Sequence, residues 1–295
     1  MDLIVLGAVL WDLFPDEKLI GGAPFNVAAH ATRLGMRTAF VSAVGADNLG
    51  AQALARAAQL GLSTQYIRTV QDRPTGTVRV FLKDGQPDYD IIRPAAYDCP
   101  DLNAADLRRL AETAPQWLYF GTLEQLSPEA MKVLARLLTA IPAARRFYDL
   151  NLRKNSYRSE LVERLLNDAT ILKINESEAA AIAEMLDMHG VDCESFCNAV
   201  ATRFDLECVC ITRGQRGCAI WRHDLFVESP GCSVALADAV GAGDAFSAAL
   251  MHGLTASWDL RRVAAFANRL GALVASRRGA VPQWTLEDIM ERKEA

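Results

Sequence analysis

The sequence contains no segment that would insert into a membrane or direct the chain across one. No run approaches the ~18–20 apolar residues of a membrane-spanning helix. The apolar segment Met1–Val9 is short, carries an acid at Asp2 and has no small-residue cleavage site after it, so it predicts a buried strand and not a signal peptide. We therefore expect a cytoplasmic protein with no membrane partner.

An excess of basic residues is also absent. Lysine and arginine total 31, and aspartate and glutamate total 36, which gives a formal net charge of −5. This balance argues against a protein that binds nucleic acid by broad charge neutralisation, because such proteins carry a basic face. It leaves room for a small anionic ligand in a locally positive pocket.

Metal-binding patterns are missing among the cysteines and histidines. The 7 cysteines form no CxxC pair, and the 4 histidines show no ligand spacing. Cys193 and Cys197 are spaced as on one helix face, and Cys208 and Cys210 alternate as in a strand. We interpret the cysteines as buried, reduced thiols of a cytosolic protein and expect no zinc site.

Strand-like and helix-like segments alternate over most of the chain. Short apolar runs predict strands at Leu3–Val9, Thr38–Val44, Trp117–Phe120, Arg146–Leu150, Ala169–Ile174 and Leu206–Thr212. Helical periodicity predicts helices at Pro24–Leu34, Leu49–Leu60, Pro128–Thr139, Ser177–Leu186, Ala242–Leu254 and Leu260–Ser276. This alternation is typical of an α/β fold in which helices cover both faces of a mostly parallel sheet. No linker or repeat interrupts it, so we expect a single domain over residues 1–295.

One stretch breaks the alternation. Two β segments, Thr77–Leu82 and Tyr89–Arg93, are joined across a loop with an Asp-Gly pair, which predicts a hairpin. Leu10–Ile20 adds a second irregular or hairpin piece. Inserted segments at about 10–20 and 64–98 are interpreted either as a small β lid over an active site or as a surface hairpin with no role.

The most informative segment is Ala237–Leu250, ADAVGAGDAFSAAL. Gly241 and Gly243 stand at the start of a helical pattern, where glycines let backbone N–H groups approach a ligand and the helix dipole adds positive charge. Such a site suits a phosphate or a developing oxyanion. Asp244 in the first turn either compensates the dipole as a capping residue or deprotonates a hydroxyl that attacks a phosphoryl group.

Other phosphate and nucleotide motifs are absent. No GxxxxGK[ST] loop occurs, and Phe246 stands where the third glycine of GxGxxG would be. The protein-kinase motif set is also missing. The sequence therefore argues against a dinucleotide-dependent oxidoreductase, and any phosphoryl transfer belongs to another architecture.

Five blocks of the sequence resemble those of the ribokinase-like, or PfkB, carbohydrate kinases, and they occur in the family's order. The blocks are GGAPFNVA from Gly21, DLNLR from Asp149, NESE from Asn175, TRGQRG from Thr212 and ADAVGAGDAF from Ala237. The resemblance covers essentially the whole chain and implies a three-layer α/β/α fold with a mostly parallel central sheet and a small β lid. The DxNLR form resembles the fructokinase branch. One departure is Asp238-Ala239, where the family more often has Asp-Thr.

The resemblance implies where the chemistry lies. Asp244 matches the family's catalytic base, which removes the proton of the sugar hydroxyl. The amides of Gly241, Ala242 and Gly243 match the anion hole that stabilises charge on the transferring phosphoryl group.

The resemblance also implies a sugar site. Gly22 and Asn26 match sugar-binding positions, although Asn26 also suits a local hydrogen bond at the helix start. Asp12 follows the first strand, where the family has a carboxylate that binds two sugar hydroxyls, and the adjacent Trp11 either stacks on the sugar or packs the lid. Arg153 contacts the sugar, neutralises phosphate charge, or is simply solvated.

For the nucleotide, the resemblance implies ATP and Mg²⁺. Asn175 and Glu178 match the NxxE motif that acts on Mg²⁺ through water, although the same pattern is a common helix N-terminus. Lys173, Thr212 and Gly214 are expected near the nucleotide phosphates.

Two further sites follow from the resemblance. Asn268 falls on the helix that lines the adenine pocket in the family. Asp238 and the carbonyls of Val240 and Gly279 match a monovalent-cation site, which holds potassium in many relatives.

The sequence thus predicts an ATP-dependent sugar kinase that phosphorylates a primary hydroxyl, with fructose as the first candidate. Ribose, 2-keto-3-deoxygluconate and nucleosides are alternative substrates. A sugar phosphate is a further alternative, because Arg73, Arg79 and Arg93 lie on or near the predicted lid. A non-catalytic sugar-binding regulator is a second hypothesis, against which the intact Asp244 argues. An exposed β edge at Thr77–Leu82 predicts a homodimer through the lid.

Overall fold

Buried strands and amphipathic helices alternate along the chain, as the sequence pattern predicts. The computed structural model describes residues 1–83, 86–153 and 157–290. Its contacts divide the chain into two units, Met1–Pro115 with Glu124–Ala143 and Gln116–Leu123 with Ala144–Ala295. Asp12, Gly22 and Asn26 belong to the first unit, whereas the segment that contains Asp244 belongs to the second.

The first unit is built around short apolar strands. Its strands are β1 (Leu3–Leu6), β2 (Leu10–Leu13), β3 (Lys18–Gly21), β4 (Thr38–Gly45), β5 (Ile67–Val70), β6 (Gly76–Lys83) and β7 (Gln86–Ile92). Its helices are α1 (Ala23–Arg33), α2 (Asn48–Gln59), α3 (Ala104–Glu112) and α4 (Pro128–Ala140). β1, β4 and β5 are parallel neighbours in that order. Every residue of β4 is buried, which is typical of a parallel strand covered on both faces.

The remaining strands of this unit form a separate sheet in the order β3-β2-β6-β7. β6 and β7 are the predicted hairpin, antiparallel as far as the pair Lys83–Gln86, and the expected turn residues Asp84 and Gly85 lie outside the described residues. This sheet is formed by the two inserted segments that the sequence predicts, and we call it the lid sheet; its role as a lid stays a prediction. β2 pairs with Gly76–Arg79 of β6 on its other side, so Thr77–Arg79 is not the exposed edge that the sequence predicts. The edge strands of this sheet are β3 and β7.

The second unit carries the longer run of parallel strands. Its strands are β8 (Trp117–Gly121), β9 (Arg145–Asp149), β10 (Ile171–Asn175), β11 (Cys208–Thr212), β12 (Cys218–Arg222) and β13 (Leu225–Ser229). Its helices are α5 (Ser159–Asp168), α6 (Glu176–Met185), α7 (Cys193–Phe204), α8 (Ala242–Thr255), α9 (Leu260–Ala275) and α10 (Leu286–Met290). β8, β9, β10 and β11 are parallel neighbours, and β12 and β13 continue antiparallel. The predicted mostly parallel α/β class is confirmed.

The parallel strands of the second unit bring polar residues to one edge. Lys173 pairs in register with Asp149, and Asn175 pairs with Thr212. These residues stand at or near the carboxyl ends of β9, β10 and β11, which is where open α/β sheets bind ligands. The fold therefore gathers three of the predicted sequence blocks at a single sheet edge.

The apolar parts of the chain are used for packing. Within the described residues, no helix combines the length and the apolar character needed to cross a bilayer. All seven cysteines are free, and five of them are buried. Burial raises the pKa of the Cys208 thiol to about 12, so this thiol stays protonated and unreactive near neutral pH.

Candidate active site

The helix α8 begins at the glycine-rich segment that the sequence singles out. Gly241 is its N-cap, with φ of 81° and no side-chain cap hydrogen bond. A Cβ on Gly241 would lie 2.4 Å from the carbonyl oxygen of Ala280, so only glycine permits this backbone approach. The start of α8 therefore has the properties of an anion site: a positive dipole end whose N-cap residue has no side chain.

Positive charge lies close to this helix start. Asp244 is in the first turn and partly exposed. A Cβ built on Gly243 would be 3.3 Å from the Nζ atom of Lys173. Burial alone would lower the pKa of Lys173, but neighbouring carboxylates outweigh burial and raise it. In decreasing order of effect, these carboxylates belong to Asp149, Glu178 and Asp244.

Asp149 is the centre of a buried polar cluster beneath α8. It is 1% exposed, and its Oδ1 atom accepts from Lys173 Nζ at 3.0 Å. Its Oδ2 atom accepts from Ser247 Oγ at 2.9 Å and from the Tyr119 hydroxyl at 3.3 Å. The Asp149 carboxylate is thus fully engaged within the protein, and it fixes where the Lys173 ammonium lies.

The NxxE residues form a reciprocal capping box at the start of α6. Asn175 Oδ1 accepts from Glu178 N at 2.9 Å, and Glu178 Oε2 accepts from Asn175 N at 2.8 Å. Glu178 Oε1 accepts from Leu152 N at 2.8 Å, which ties the segment after β9 to α6. Burial raises the pKa of Glu178, partly offset by Lys173.

These contacts decide how a magnesium ion could be held. The described residues contain no group of three or more His, Cys, Asp or Glu side chains that could hold a metal ion. Both Glu178 oxygens already accept a backbone amide, and their remaining lone pairs suit contact with Mg²⁺ through water. Mg²⁺ commonly keeps several of its waters, and the residues present fit this arrangement.

A cavity of about 340 Å³ opens beside the start of α8, within the usual range of ~300–1,000 Å³ for ligand pockets. The predicted residues Thr212, Gly214, Gly243 and Asn268 all line it. The Asn268 side-chain nitrogen donates to the Ser229 and Pro230 carbonyls. Asn268 therefore fixes the chain that follows β13 as well as lining the cavity.

Several cavity residues are absent from the sequence-based prediction. Gly271, Ala272 and Ala275 follow Asn268 at helical spacing and form a small-residue face of α9 in the cavity wall, and Phe246 closes it from α8. The spacing of small residues on α9 is a signal that could have located this face. The apolar wall suits a planar base, and the glycines on the β11 side allow close approach of backbone amides to phosphates.

The loop before α8 is anchored by Asp238. Its Oδ1 atom accepts from Val240 N and its Oδ2 atom from Gly279 N, both at 3.0 Å. These bonds join the two segments predicted to hold a monovalent cation, and they bring Asp238, Val240 and Gly279 together as the sequence expects.

Three of the residues predicted for the sugar, Asp12, Gly22 and Asn26, lie in the first unit. Gly22 is the N-cap of α1 with φ of 103°, and a Cβ there would lie 2.6 Å from the Ala8 carbonyl oxygen. Asn26 is 2% exposed in the first turn of α1. The Asp12 carboxylate lies against Gly21, where a Cβ would be 2.7 Å from Oδ2. Asp12 and the Gly21-Gly22 turn are therefore neighbours, and α1 also begins at a glycine.

Trp11 packs the lid sheet and is not on the side of Asp12. Successive residues of a strand face opposite sides of a sheet, so Trp11 points away from the Asp12 side of β2. Its indole donates to the Leu49 carbonyl at 3.1 Å, and the Lys18 ammonium lies 5.3 Å from its ring centroid. Of the two roles considered for Trp11, the geometry supports packing.

Arg153 is the predicted site residue with the least structural context. It is exposed at the end of the DLNLR block, and the residues that follow it, 154–156, lie outside the described residues. Its predicted role toward sugar or phosphate stays a prediction.

Comparison with known proteins finds, over nearly the whole chain, the family that the five sequence blocks resemble. The model of the pfkB family of carbohydrate kinases matches residues 16–286. A fructokinase of Escherichia coli is 30% identical, over 94% of this chain and 94% of that protein. The structure of a Pyrococcus horikoshii sugar kinase in complex with ATP is 27% identical, with a TM-score of 0.80 over 95% of this chain and 94% of that one.

A further likeness concerns the fold alone. The structure of a Xylella fastidiosa fructokinase with bound ATP has a TM-score of 0.84 over 98% of this chain and 96% of that one, at 20% identity. The predicted ribokinase-like fold, three-layer α/β with a mostly parallel sheet, is confirmed.

Proposed function

Because the chain belongs to the pfkB family of carbohydrate kinases, we propose that it transfers the γ-phosphoryl group of ATP to a primary hydroxyl of fructose. Membership of this family makes it a phosphotransferase with an alcohol group as acceptor. The observation that carries the proposal is the glycine-capped start of α8, with Asp244 in its first turn and a cavity beside it. The choice of fructose rests on the DLNLR block and on the likeness to a fructokinase.

In the proposed reaction, the chain supplies a base and a preorganised anion site. The Asp244 carboxylate accepts the proton of the attacking sugar hydroxyl. The sugar oxygen then bonds to the γ-phosphorus, and the bond between the γ-phosphorus and the bridging oxygen breaks, so that ADP leaves. The amides from Gly241 to Gly243 stabilise the charge on the transferring group. When bound, Mg²⁺ neutralises phosphate charge, and Asn175 and Glu178 would hold its water shell.

A neutral sugar is favoured over a sugar phosphate by the positions of three arginines. Arg93 pairs with Asp98 at 2.6 Å, and Arg73 pairs with Asp72 at the surface. Arg79 stands in register with Leu13, so it lies on the sheet face opposite to Asp12. Two of these side chains are therefore already paired with an aspartate, and the third lies on the other face of the sheet from Asp12.

The decisive experiment is a coupled ADP-release assay with a panel of acceptors. The panel contains fructose, fructose 6-phosphate, ribose, 2-keto-3-deoxygluconate and nucleosides, each with and without potassium. We expect the highest kcat/KM with fructose and a low value with fructose 6-phosphate. A higher kcat/KM with another acceptor would make that acceptor the proposed substrate in place of fructose. If no acceptor leads to ADP release, the kinase proposal is overturned and a sugar-binding regulator is favoured.

We also propose that the enzyme is a cytoplasmic homodimer joined through the lid. The support is the four-stranded sheet, whose edge strands β3 and β7 each lack a partner on one side within the sheet, because unpaired strand edges favour association. The free, mostly buried thiols suit a reducing compartment. Light scattering at micromolar concentration is expected to give twice the mass of 32.2 kDa, and a monomer would contradict the dimer.

A further inference from the structure

We propose that Ser247 and Asp149 are positioning residues that tether the first turn of α8 to the Lys173 ammonium. The proposal rests on the function proposed above, because the tethered turn contains Gly243 and Asp244. Neither residue has a role in the sequence motifs beyond the occurrence of Asp149 at the start of the DLNLR block.

The first step of the argument is that Asp149 holds Lys173 firmly. The two residues are in-register partners on the adjacent strands β9 and β10. The Asp149 carboxylate accepts from Lys173 Nζ at 3.0 and 3.3 Å. Their side chains are 1% and 9% exposed, so water does not screen the pair and removing either partner would leave a buried charge. The ammonium is thereby fixed at the sheet, directly beside Gly243.

The second step is that Ser247 connects this pair to α8. Ser247 is fully buried and follows Gly243 by one helical turn. Its hydroxyl donates to Asp149 Oδ2 at 2.9 Å, and Ser247 Oγ also lies 3.0 Å from the Gly243 carbonyl oxygen. One hydroxyl therefore contacts both the buried ion pair and the backbone of the first turn.

The third step is that α8 needs such a tether more than most helices of this chain. Its N-cap is glycine, so no side-chain cap holds the first turn. By contrast, α6 is capped by Asn175 and α9 by Asp259. A misplacement of about 1 Å at a reacting centre lowers a rate by about 100-fold. Contacts behind the helix therefore help to hold Gly243 and Asp244 in place, and Ser247 supplies a contact that reaches the sheet.

Ser247→Ala is the test variant. Loss of its neutral hydroxyl disturbs folding less than replacement of Asp149 or Lys173, which would leave a buried charge unpaired. Thr255→Ala is the matched control on the same helix. Thr255 accepts from the Trp117 indole at 2.8 Å and donates to the Met251 carbonyl at 2.8 Å. It resembles Ser247 in kind but stands at the far end of α8.

Four quantities are measured for the wild type and both variants: kcat, KM, the melting temperature, and hydrogen exchange along α8. We expect Ser247→Ala to lower kcat by about 10- to 100-fold, to leave the KM for the sugar unchanged, and to speed exchange in the first turn of α8. Thr255→Ala is expected to lower the melting temperature comparably, keep kcat, and speed exchange only at the C-terminal end.

The outcomes separate this proposal from the proposed function. If Ser247→Ala and Thr255→Ala have the same kcat and the same exchange in the first turn, the tether proposal is overturned. If Ser247→Ala raises the KM for ATP and leaves kcat unchanged, the tether proposal is also overturned, because Lys173 would then serve phosphate binding alone. If the wild type phosphorylates no sugar, the proposed function fails, and exchange in the first turn still decides whether the tether exists.

Discussion

The helices α6 and α8 both carry a carboxylate three residues after their N-cap, and the two carboxylates have different surroundings. In α6, the N-cap is Asn175, and Glu178 exchanges hydrogen bonds with it in a capping box. In α8, the N-cap is Gly241, which offers no side chain. Glu178 is 6% exposed, whereas Asp244 is partly exposed.

This difference shows that the cap residue decides what the acid can do. An asparagine cap satisfies an N–H group of the first turn, and the longer glutamate reaches back to the N-cap amide. A glycine cap leaves the helix dipole and amides to a ligand. One helix start therefore stabilises the fold, and the other is suited to chemistry, although both sequences place an acid at the same position.

The largest effect is expected from Asp244→Asn. If Asp244 is the base, the variant lowers kcat by about 10²–10⁴-fold, the usual contribution of a positioned general base. The amide has nearly the same shape, and Asp244 is partly exposed, so the melting temperature should change little. Steady-state kinetics and thermal denaturation check both statements. Near-normal turnover in a folded variant would remove Asp244 from the mechanism and with it the contrast with Glu178.

The second effect tests why the cap of α8 is glycine. Gly241→Ala places a Cβ against the Ala280 carbonyl oxygen at 2.4 Å and imposes φ of 81° on a residue with a side chain. We expect it to lower the free energy of unfolding by about 2–5 kcal/mol and to reduce kcat.

The matched control for Gly241 is Gly279→Ala. Gly279 has the same φ of 81° and nothing within 4 Å of a built Cβ. The control therefore carries only the conformational cost of about 1–2 kcal/mol. Denaturant unfolding compares the two, and equal losses would show that the contact with Ala280 does not matter.

Most of the fold follows from local sequence pattern. The apolar run that predicts a strand at Thr38–Val44 forms β4 over Thr38–Gly45, and the amphipathic run Leu260–Ser276 forms α9 over Leu260–Ala275. Such elements are predictable because burial selects apolar residues at a fixed period.

Elements with unusual turns escaped prediction. The β12–β13 hairpin turns at His223-Asp224, with φ of 46° and 62°. Neither residue is glycine or asparagine, the usual markers of such a turn. The order of the lid sheet was also beyond reach, because the pairing of β2 with β6 joins segments far apart in the chain.

The site divides along the same line. The start of α8 at Gly241, with Asp244 in its first turn, is predictable because the residues that form it are neighbours in the sequence. Ser247 and Asp149 are 98 residues apart, and no local pattern announces their contact. The sequence therefore locates the residues at the start of α8, whereas only the fold shows that Ser247 and Asp149 are in contact behind them.

The third effect concerns the carboxylate of α6. Both Glu178 oxygens accept backbone N–H groups, and in Glu178→Gln one of them becomes an NH₂ group that cannot accept. We expect the free energy of unfolding to fall by about 1–3 kcal/mol and kcat to fall far less than in Asp244→Asn.

Glu176→Gln is the control in the same turn of α6. Glu176 is exposed and pairs with Arg216 at the surface, and exposed pairs of this kind contribute about 0–1 kcal/mol. Denaturant unfolding of the two variants measures the difference. If Glu178→Gln is as stable as Glu176→Gln, the capping box does not account for the burial of Glu178.

The smallest effect separates capping from a role toward magnesium at Asn175. Asn175→Ala removes the cap and should lower the free energy of unfolding by about 1 kcal/mol, whereas Asn175→Ser keeps a good N-cap and should stay within a few tenths. Serine cannot replace the amide toward a water shell, so we expect Asn175→Ser to need several-fold more Mg²⁺ for half-maximal rate. Activity titrated with Mg²⁺ at saturating ATP measures this. An unchanged requirement in the stable serine variant would leave Asn175 with capping alone, and the start of α6 would then be purely structural, in contrast to the catalytic role proposed for the start of α8.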